Sequence, residues 1–296
     1  MKSSQQHPNP WVLGARPRTL PAAVVPVAVG AASAAGLAHP VWWRVVLSLV
    51  VSLALQIGVN YANDYSDGIR GTDDVRVGPP RLVGSGLAAA RSVKLAAFAA
   101  FGVAAVCGLV LAIATSWWLL AVGAAALLAG WFYTGGLKPY GYLGLGEVAV
   151  FVFFGLVATI GTTYVVAERI TAVSIIMGCG VGALACALLV INNLRDIPTD
   201  REVGKRTLAV RLGDQRTRWM YVALVAAAIA AGVAVAIITR PWTALVVAAI
   251  PFAVVPVRIV LRGAKGRDLI AVLGNTGRLQ MAYGMLATVG LLLSRA

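Results

Sequence analysis

The stretch "INNLRDIPTDREVGKR", residues 191–206, sets Asp196, Asp200 and Glu202 among four bases directly after an uninterrupted apolar run, in a chain of which only 12% is charged. A second stretch, "NYANDYSDGIRGTDDVRVGPPRLVGSG" at 60–86, repeats the arrangement. Each begins with Asn (Asn60, Asn192), carries Asp four residues later (Asp64, Asp196) and another Asp three or four beyond that (Asp67, Asp200), and then turns basic. On a helix, residues spaced i, i+4 and i+7 or i+8 share one face. Carboxylates stacked there repel one another. A divalent cation between them offsets that cost, and Mg2+ favours a few carboxylates with retained waters and bridging phosphate oxygens. The bases that follow, Arg76 and Arg81 in one stretch and Lys205, Arg206 and Arg211 in the other, suit the remaining phosphate charge. The chemistry these residues describe is capture of a lipid diphosphate as its Mg2+ salt.

The elements that must position them are membrane helices. The 296-residue chain is 59% hydrophobic with a mean hydropathy of +0.84, too little polar surface for a water-soluble globule of this length. Apolar runs of bilayer-crossing length fall at 19–37, 42–62, 93–113, 116–134, 147–166, 172–194, 218–239, 241–261 and 279–294. Backbone groups in lipid must be satisfied internally, so the runs are helices. This predicts an all-α membrane protein with nine transmembrane helices: two similar groups of four around a central cavity, and a peripheral ninth. Residues 1–18 read as an N-terminal tail and 19–296 as one polytopic domain, with the acidic motifs in loops at 60–92 and 192–217. A tail and first span with Lys2, Arg16 and Arg18 ahead of apolar residues also resemble a cleaved signal peptide, but two prolines inside the run favour a retained helix. Pro21, Pro26, Pro251 and Pro256 predict kinks.

Charge orients the bundle. Only Arg44, Arg169, Arg240 and Arg295 belong to the odd-numbered connections and the C-terminus, leaving 21 of the 25 Lys and Arg residues on the other side. By the positive-inside rule, the N-terminus, the even-numbered connections and both acidic clusters are cytoplasmic, on a cell membrane. The net charge of +14 then reflects topology and anionic headgroups, with no soluble domain left to bind nucleic acid. Cys107, Cys179 and Cys186 lie in apolar spans without ligand spacing and read as packing residues.

Two other readings compete with diphosphate chemistry. Charged residues at helix ends serve as interfacial anchors, although paired Asp ladders are unusual anchors. Repeated polar stations also mark carriers, but a carrier calls for ionisable groups at depth, and the midplane portions of these spans hold almost none.

With these residues in place, the sequence resembles the UbiA-type intramembrane prenyltransferases: "NDYSD" and "DIPTDREVGKRT" are similar to that superfamily's two aspartate-rich motifs. "ARPRTLPAAVVPV" at 15–27, "GPPRLVGSG" at 78–86 and "YTGGLKPYGYLGLGE" at 133–147 most resemble the branch that prenylates 1,4-dihydroxy-2-naphthoate in menaquinone synthesis. The resemblance runs to about residue 213. It implies Mg2+ held by Asp64, Asp67, Asp196 and Asp200 as the catalytic set, a polyprenyl diphosphate donor, and loss of the acceptor's carboxylate as CO2. Gly71 stands where the superfamily's last Asp of the first motif falls, and the resembled branch has Gly there with an Asp close behind, which implies Asp73. Asn60, Asn63 and Asn192 fit hydrogen bonding around the diphosphate. Arg76, Arg81, Lys138 and Lys205 are candidate phosphate contacts. Tyr133 and Tyr142 either hold the acceptor and stabilise a cation through their faces or sit as interfacial aromatics. Glu147 reads as a charge at a helix N-terminus rather than a catalytic group.

Overall fold

The computed structural model describes residues 9–71 and 80–294. Asp73 and Arg76, both expected at the substrate, lie outside the described residues. Among the described residues there are helices and no strands. The long helical segments are α1 (Pro21–Ala34), α2 (Trp43–Ile69), α3 (Ala90–Ala114), α4 (Leu119–Phe132), α5 (Gly146–Ala167), α6 (Ala172–Glu202), α7 (Asp214–Ile238), α8 (Pro241–Leu261) and α9 (Asp268–Leu293). Six of these, α2, α3 and α5 to α8, are long and apolar enough to cross a membrane. The protein is a multi-pass helical membrane protein. α1 and α4 are shorter apolar helices, and α9 carries Asp268, Arg278 and Gln280 along its length.

Residues from alternate connections gather at one end of the bundle. Arg44 donates to the carbonyls of Ala114 (2.7 Å) and Val165 (2.9 Å) and pairs with Glu168 (2.9 Å), while Arg240 donates to Ala35 and Ser294 carbonyls at 3.1 and 3.0 Å. Each guanidinium ties off helix-end carbonyls that have no intrahelical partner. The acidic motifs lie at the opposite end, as an up-and-down chain path requires.

Four expectations need correction. First, the motif stretches do not begin as loops: α2 runs on through Asn60, Asp64 and Asp67 to Ile69, and α6 through Asn192, Asp196 and Asp200 to Glu202. On α2 the polar turn is held by partners elsewhere in the fold, Asp64 by Leu82 and Val83 and Asp67 by Lys205 and Tyr142, while on α6 Asp196 is met by its neighbour Arg195. Second, α9 is not peripheral. It packs on α1, α6 and α8, and Thr276, Leu279, Gln280 and Tyr283 are fully buried, so one face of the helix is turned into the core, while Asp268 and Arg278 are exposed. Third, residues 10–19 are not a tail. A short helix, Pro10–Ala15, and a 3-10 turn, Pro17–Thr19, fold back against α2, where Tyr61 donates to the Trp11 carbonyl at 2.8 Å. Fourth, Pro21 opens α1 rather than kinking it, a position where its missing N–H has no intrahelical partner to lose. In α8 a 3-10 segment, Pro241–Ala249, gives way to α-helix at Ile250, with Pro251 in the new first turn.

A π-helical segment, Phe151–Val157, interrupts α5. Its Gly155 sits so close to α6 that an added Cβ would stand 2.5 Å from Gly182 Cα. Small residues allow this backbone approach, and the widened turn places Phe153, Phe154 and Val157 on the wall of an interior chamber. α6 packs on α1, α5, α7 and α9 and forms the spine of the core.

Candidate active site

The two acidic helix ends face one polar cavity of about 370 Å³. Asp64, Asp67, Asp196 and Asp200 line it, with Arg16, Arg18, Arg81 and Lys205 as bases and Asn63, Asn192 and Asn193 as amides. Asp64, 1% exposed, accepts from the backbone N–H groups of Leu82 (2.9 Å) and Val83 (3.0 Å). The "PRLVG" stretch is thereby docked onto α2. Asp67 pairs with Lys205 at 3.3 Å and accepts from the Tyr142 hydroxyl. Asp196 is forked by its neighbour Arg195 through two bonds of 2.6 Å. Asn63 accepts from the Thr134 hydroxyl at 2.7 Å.

Lys205 joins the two halves of the site. Its ammonium lies 4.5 Å from the centre of the Tyr142 ring, a cation–π distance. Burial works against its charge, but Asp67, with Tyr142 and Asp200 nearby, holds it above the ordinary lysine value, so it stays charged at neutral pH. Burial likewise pushes the Tyr140 phenol up to about 12, which keeps it neutral. Tyr142→Phe retains the ring under Lys205 and deletes the hydroxyl on Asp67. The expected cost, ~1.5 kcal/mol for a hydrogen bond to a charged group, is close to tenfold in kcat/KM; unchanged steady-state kinetics would show that this bond does not organise the site.

An apolar chamber of about 310 Å³ continues inward. Arg16, Thr19, Asn63, Tyr133, Leu189, Asn192 and Leu273 border both spaces, so they mark the junction between a charged headgroup site and a hydrocarbon site. Tyr133 stands edge-on to Tyr140 there, with ring centres 5.6 Å apart.

Not every candidate from the sequence reaches the polar cavity. Asn60 borders the apolar chamber, and its amide is committed to the N-terminal segment, donating to the Ala15 carbonyl (2.9 Å) and Thr19 hydroxyl (3.1 Å). Lys138 is exposed and borders neither space. Conversely, the sequence reading gave no site role to Arg16, Arg18, Thr134 or Arg195. The first two were visible in "ARPRT", but nothing in the residues alone showed that this segment folds back over the cavity.

The donor set fits Mg2+. Among the described residues no three His, Cys, Asp or Glu side chains form a ready-made metal cluster. The cavity instead offers hard oxygen donors in two pairs, Asp64 with Asp67 and Asp196 with Asp200, and neither His nor Cys. A few carboxylates, with substrate phosphates and water completing the shell, is the arrangement Mg2+ prefers over an all-protein cage.

A helical membrane bundle that joins carboxylates and bases at a polar mouth to an apolar interior defines an intramembrane enzyme for lipid diphosphates. The chain belongs to the UbiA prenyltransferase family, which matches residues 23–289, and it is a prenyltransferase. It is 54% identical over 284 residues, covering 95% of this chain and 96% of the relative, to a protein of Mycobacterium tuberculosis described as 1,4-dihydroxy-2-naphthoate octaprenyltransferase. A protein of Escherichia coli with the same description is 37% identical over 222 residues, 70% of each chain. Among solved structures, a UbiA homologue from Archaeoglobus fulgidus bound to GPP and Mg2+ superposes with a TM-score of 0.66 at 16% identity, covering 95% of this chain and all of that one. A homologue from Aeropyrum pernix K1 reaches a TM-score of 0.69, also at 16% identity, over 93% and 97% of the two chains. At these identities the structural likeness speaks for the fold.

Proposed function

We propose that the protein transfers a polyprenyl group from polyprenyl diphosphate to 1,4-dihydroxy-2-naphthoate, with loss of CO2, giving demethylmenaquinol, the reduced form of demethylmenaquinone. The observation that carries this reading is the continuity of the two spaces: a diphosphate seated among Asp64, Asp67, Asp196 and Asp200 leads its hydrocarbon tail past Asn63 and Asn192 into the apolar chamber. The relatives from Mycobacterium tuberculosis and Escherichia coli supply the acceptor.

Arg16, Arg18, Arg81 and Lys205 meet the diphosphate charge from the cavity wall. Mg2+ held with the diphosphate by the four aspartates supplies charge neutralisation that makes it a better leaving group. The bond that breaks joins the allylic carbon to the diphosphate oxygen. The electron-rich naphthoate ring forms the new carbon–carbon bond, and its carboxylate departs as CO2. Tyr133 at the junction and Tyr140 in the chamber beside it are suited to stabilise the developing positive charge through their ring faces, and the chamber keeps water from the cation. In this reading all nine helices cross the bilayer, the N-terminus and the acidic ends face the cytoplasm of a cell membrane, and α4, which packs chiefly on α2 and α3, leaves room beside α5 for the tail to reach lipid.

Turnover by detergent-purified protein, with 1,4-dihydroxy-2-naphthoate and a labelled polyprenyl diphosphate, tests the reading. Label is expected in a quinone-like lipid with matching CO2 release, and excess chelator is expected to lower the rate to background. Transfer to another aromatic acid but not to this one would overturn the acceptor assignment, and flux across sealed vesicles without product would overturn the reaction.

A further inference from the structure

Glu147 stands in the first turn of α5, 7% exposed, and has no part in the proposed mechanism. Its Oε1 accepts from Asn193 Nδ2 at 2.8 Å, while Oε2 is buried without a hydrogen-bond partner among the described residues. The backbone of the same residue is tied to α6 as well, since Cys186 Sγ donates to the Glu147 carbonyl at 3.1 Å. Cys186 and Asn193 are seven residues apart, two turns along one face of α6. The start of α5 is therefore fastened to α6 at two levels.

This fastening orients an amide that lines the polar cavity. A carboxylate can only accept, so it selects the NH2 end of Asn193. The carbonyl oxygen and the second N–H of that amide are left for the cavity. Its neighbours there are charged: four aspartates fitted to metal, and bases fitted to phosphate. The second N–H can serve a diphosphate oxygen, but the carbonyl oxygen repels one, since those oxygens are acceptors at neutral pH. With the metal's charge met by the four aspartates, that carbonyl suits a hydroxyl donor. The aromatic co-substrate of the proposed reaction brings two ring hydroxyls. Tyr133 offers a flat wall beside it, with its hydroxyl 3.1 Å from where a Cβ on Gly146 would stand.

We infer that Asn193 recognises the aromatic co-substrate by accepting a ring hydroxyl proton on Oδ1, and that Glu147 is the positioning residue that fixes this amide. The inference rests on the aromatic-acceptor reading. A buried carboxylate with one unpartnered oxygen is costly to keep, and holding a specificity determinant in a single orientation is a return for that cost that a simple packing contact would not supply.

Steady-state kinetics on the purified full chain, varying each substrate in turn, separates the possibilities. Asn193→Ala and Glu147→Ala are expected to raise KM for 1,4-dihydroxy-2-naphthoate about tenfold, the worth of one well-placed hydrogen bond, and to leave KM for the polyprenyl diphosphate within about twofold. Glu147→Gln, whose carbonyl still accepts from Asn193, is expected to restore near wild-type KM. An acceptor analogue with its hydroxyls methylated should bind the wild type less well and Asn193→Ala no worse than the parent acceptor. Parallel rises in both KM values, or failure of Glu147→Gln to rescue, would reduce the pair to a structural tie. Unchanged kinetics in Asn193→Ala would refute the inference while leaving the reaction standing. No product from wild-type protein with this acceptor would refute the functional reading itself.

Discussion

Asp67→Asn is expected to lower kcat for prenyl transfer by about a thousandfold, roughly 4 kcal/mol of transition-state stabilisation, while the protein still inserts and purifies as a folded species. Asparagine has nearly the same shape, and its carbonyl can still accept from the Tyr142 hydroxyl. What is lost is the charge. Asp67 is 5% exposed and is the carboxylate paired with Lys205, so the substitution removes a proposed metal ligand and strips a half-enclosed ammonium of its counter-charge in the same step. The second effect falls on stability and the first on turnover, which is why both must be measured. Asp196→Asn provides the comparison. There the abandoned partner is Arg195, whose side chain is 2% exposed, so the expected stability loss is larger for a similar loss of rate. Thermal unfolding of each variant alongside its kcat distinguishes the two contributions. A folded Asp67→Asn protein that turned over within tenfold of wild type would remove Asp67 from the catalytic set.

Gly155→Val is expected to destabilise the bundle by about 3 kcal/mol or more, because overpacking against backbone cannot be relieved by a side-chain rotation. The added Cβ would stand 2.5 Å from Gly182 Cα and 2.9 Å from the Gly178 carbonyl oxygen. Both belong to the backbone of α6. The only relief is to separate α5 from α6, and that also pulls Glu147 from Asn193 and opens the chamber wall formed by the π-helical segment. A drop in thermal midpoint should therefore accompany a loss of turnover larger than stability alone explains. Gly102→Ala on α3 is the control, since nothing lies within 4 Å of a Cβ built there. Equal midpoints for the two variants would show that the close α5–α6 approach is dispensable.

The candidate site was partly legible because helical spacing is a local property. The i, i+4, i+7 and i, i+4, i+8 patterns place each set of polar residues on one helix face wherever the helix goes, and Asp64, Asp67, Asp196 and Asp200 do line a common cavity. The same spacing did not show what Asn60 meets. Its place on the motif face was right, but one turn toward the membrane that face meets the N-terminal segment, so its amide bonds Ala15 and Thr19 instead of opening to the charged cavity. Lys138 was chosen for its charge and its position in a glycine-rich connection. The connection turns it outward, and Tyr142, four residues on, reaches Asp67 instead. Side-chain type does not reveal which way an irregular loop faces.

The membrane class, the helical architecture and the alternation of the chain follow from the sequence alone, because a bilayer imposes a length and an apolarity on every crossing segment and charge sorts the connections. The tertiary structure decided what those constraints leave free. It placed α9 in the core against α1, α6 and α8, folded residues 10–19 over the site, and brought Asn193 of α6 within 2.8 Å of Glu147 on α5. Each of these depends on contacts between residues far apart in the chain, where shape and hydrogen-bond complementarity select among many packings that hydropathy permits equally.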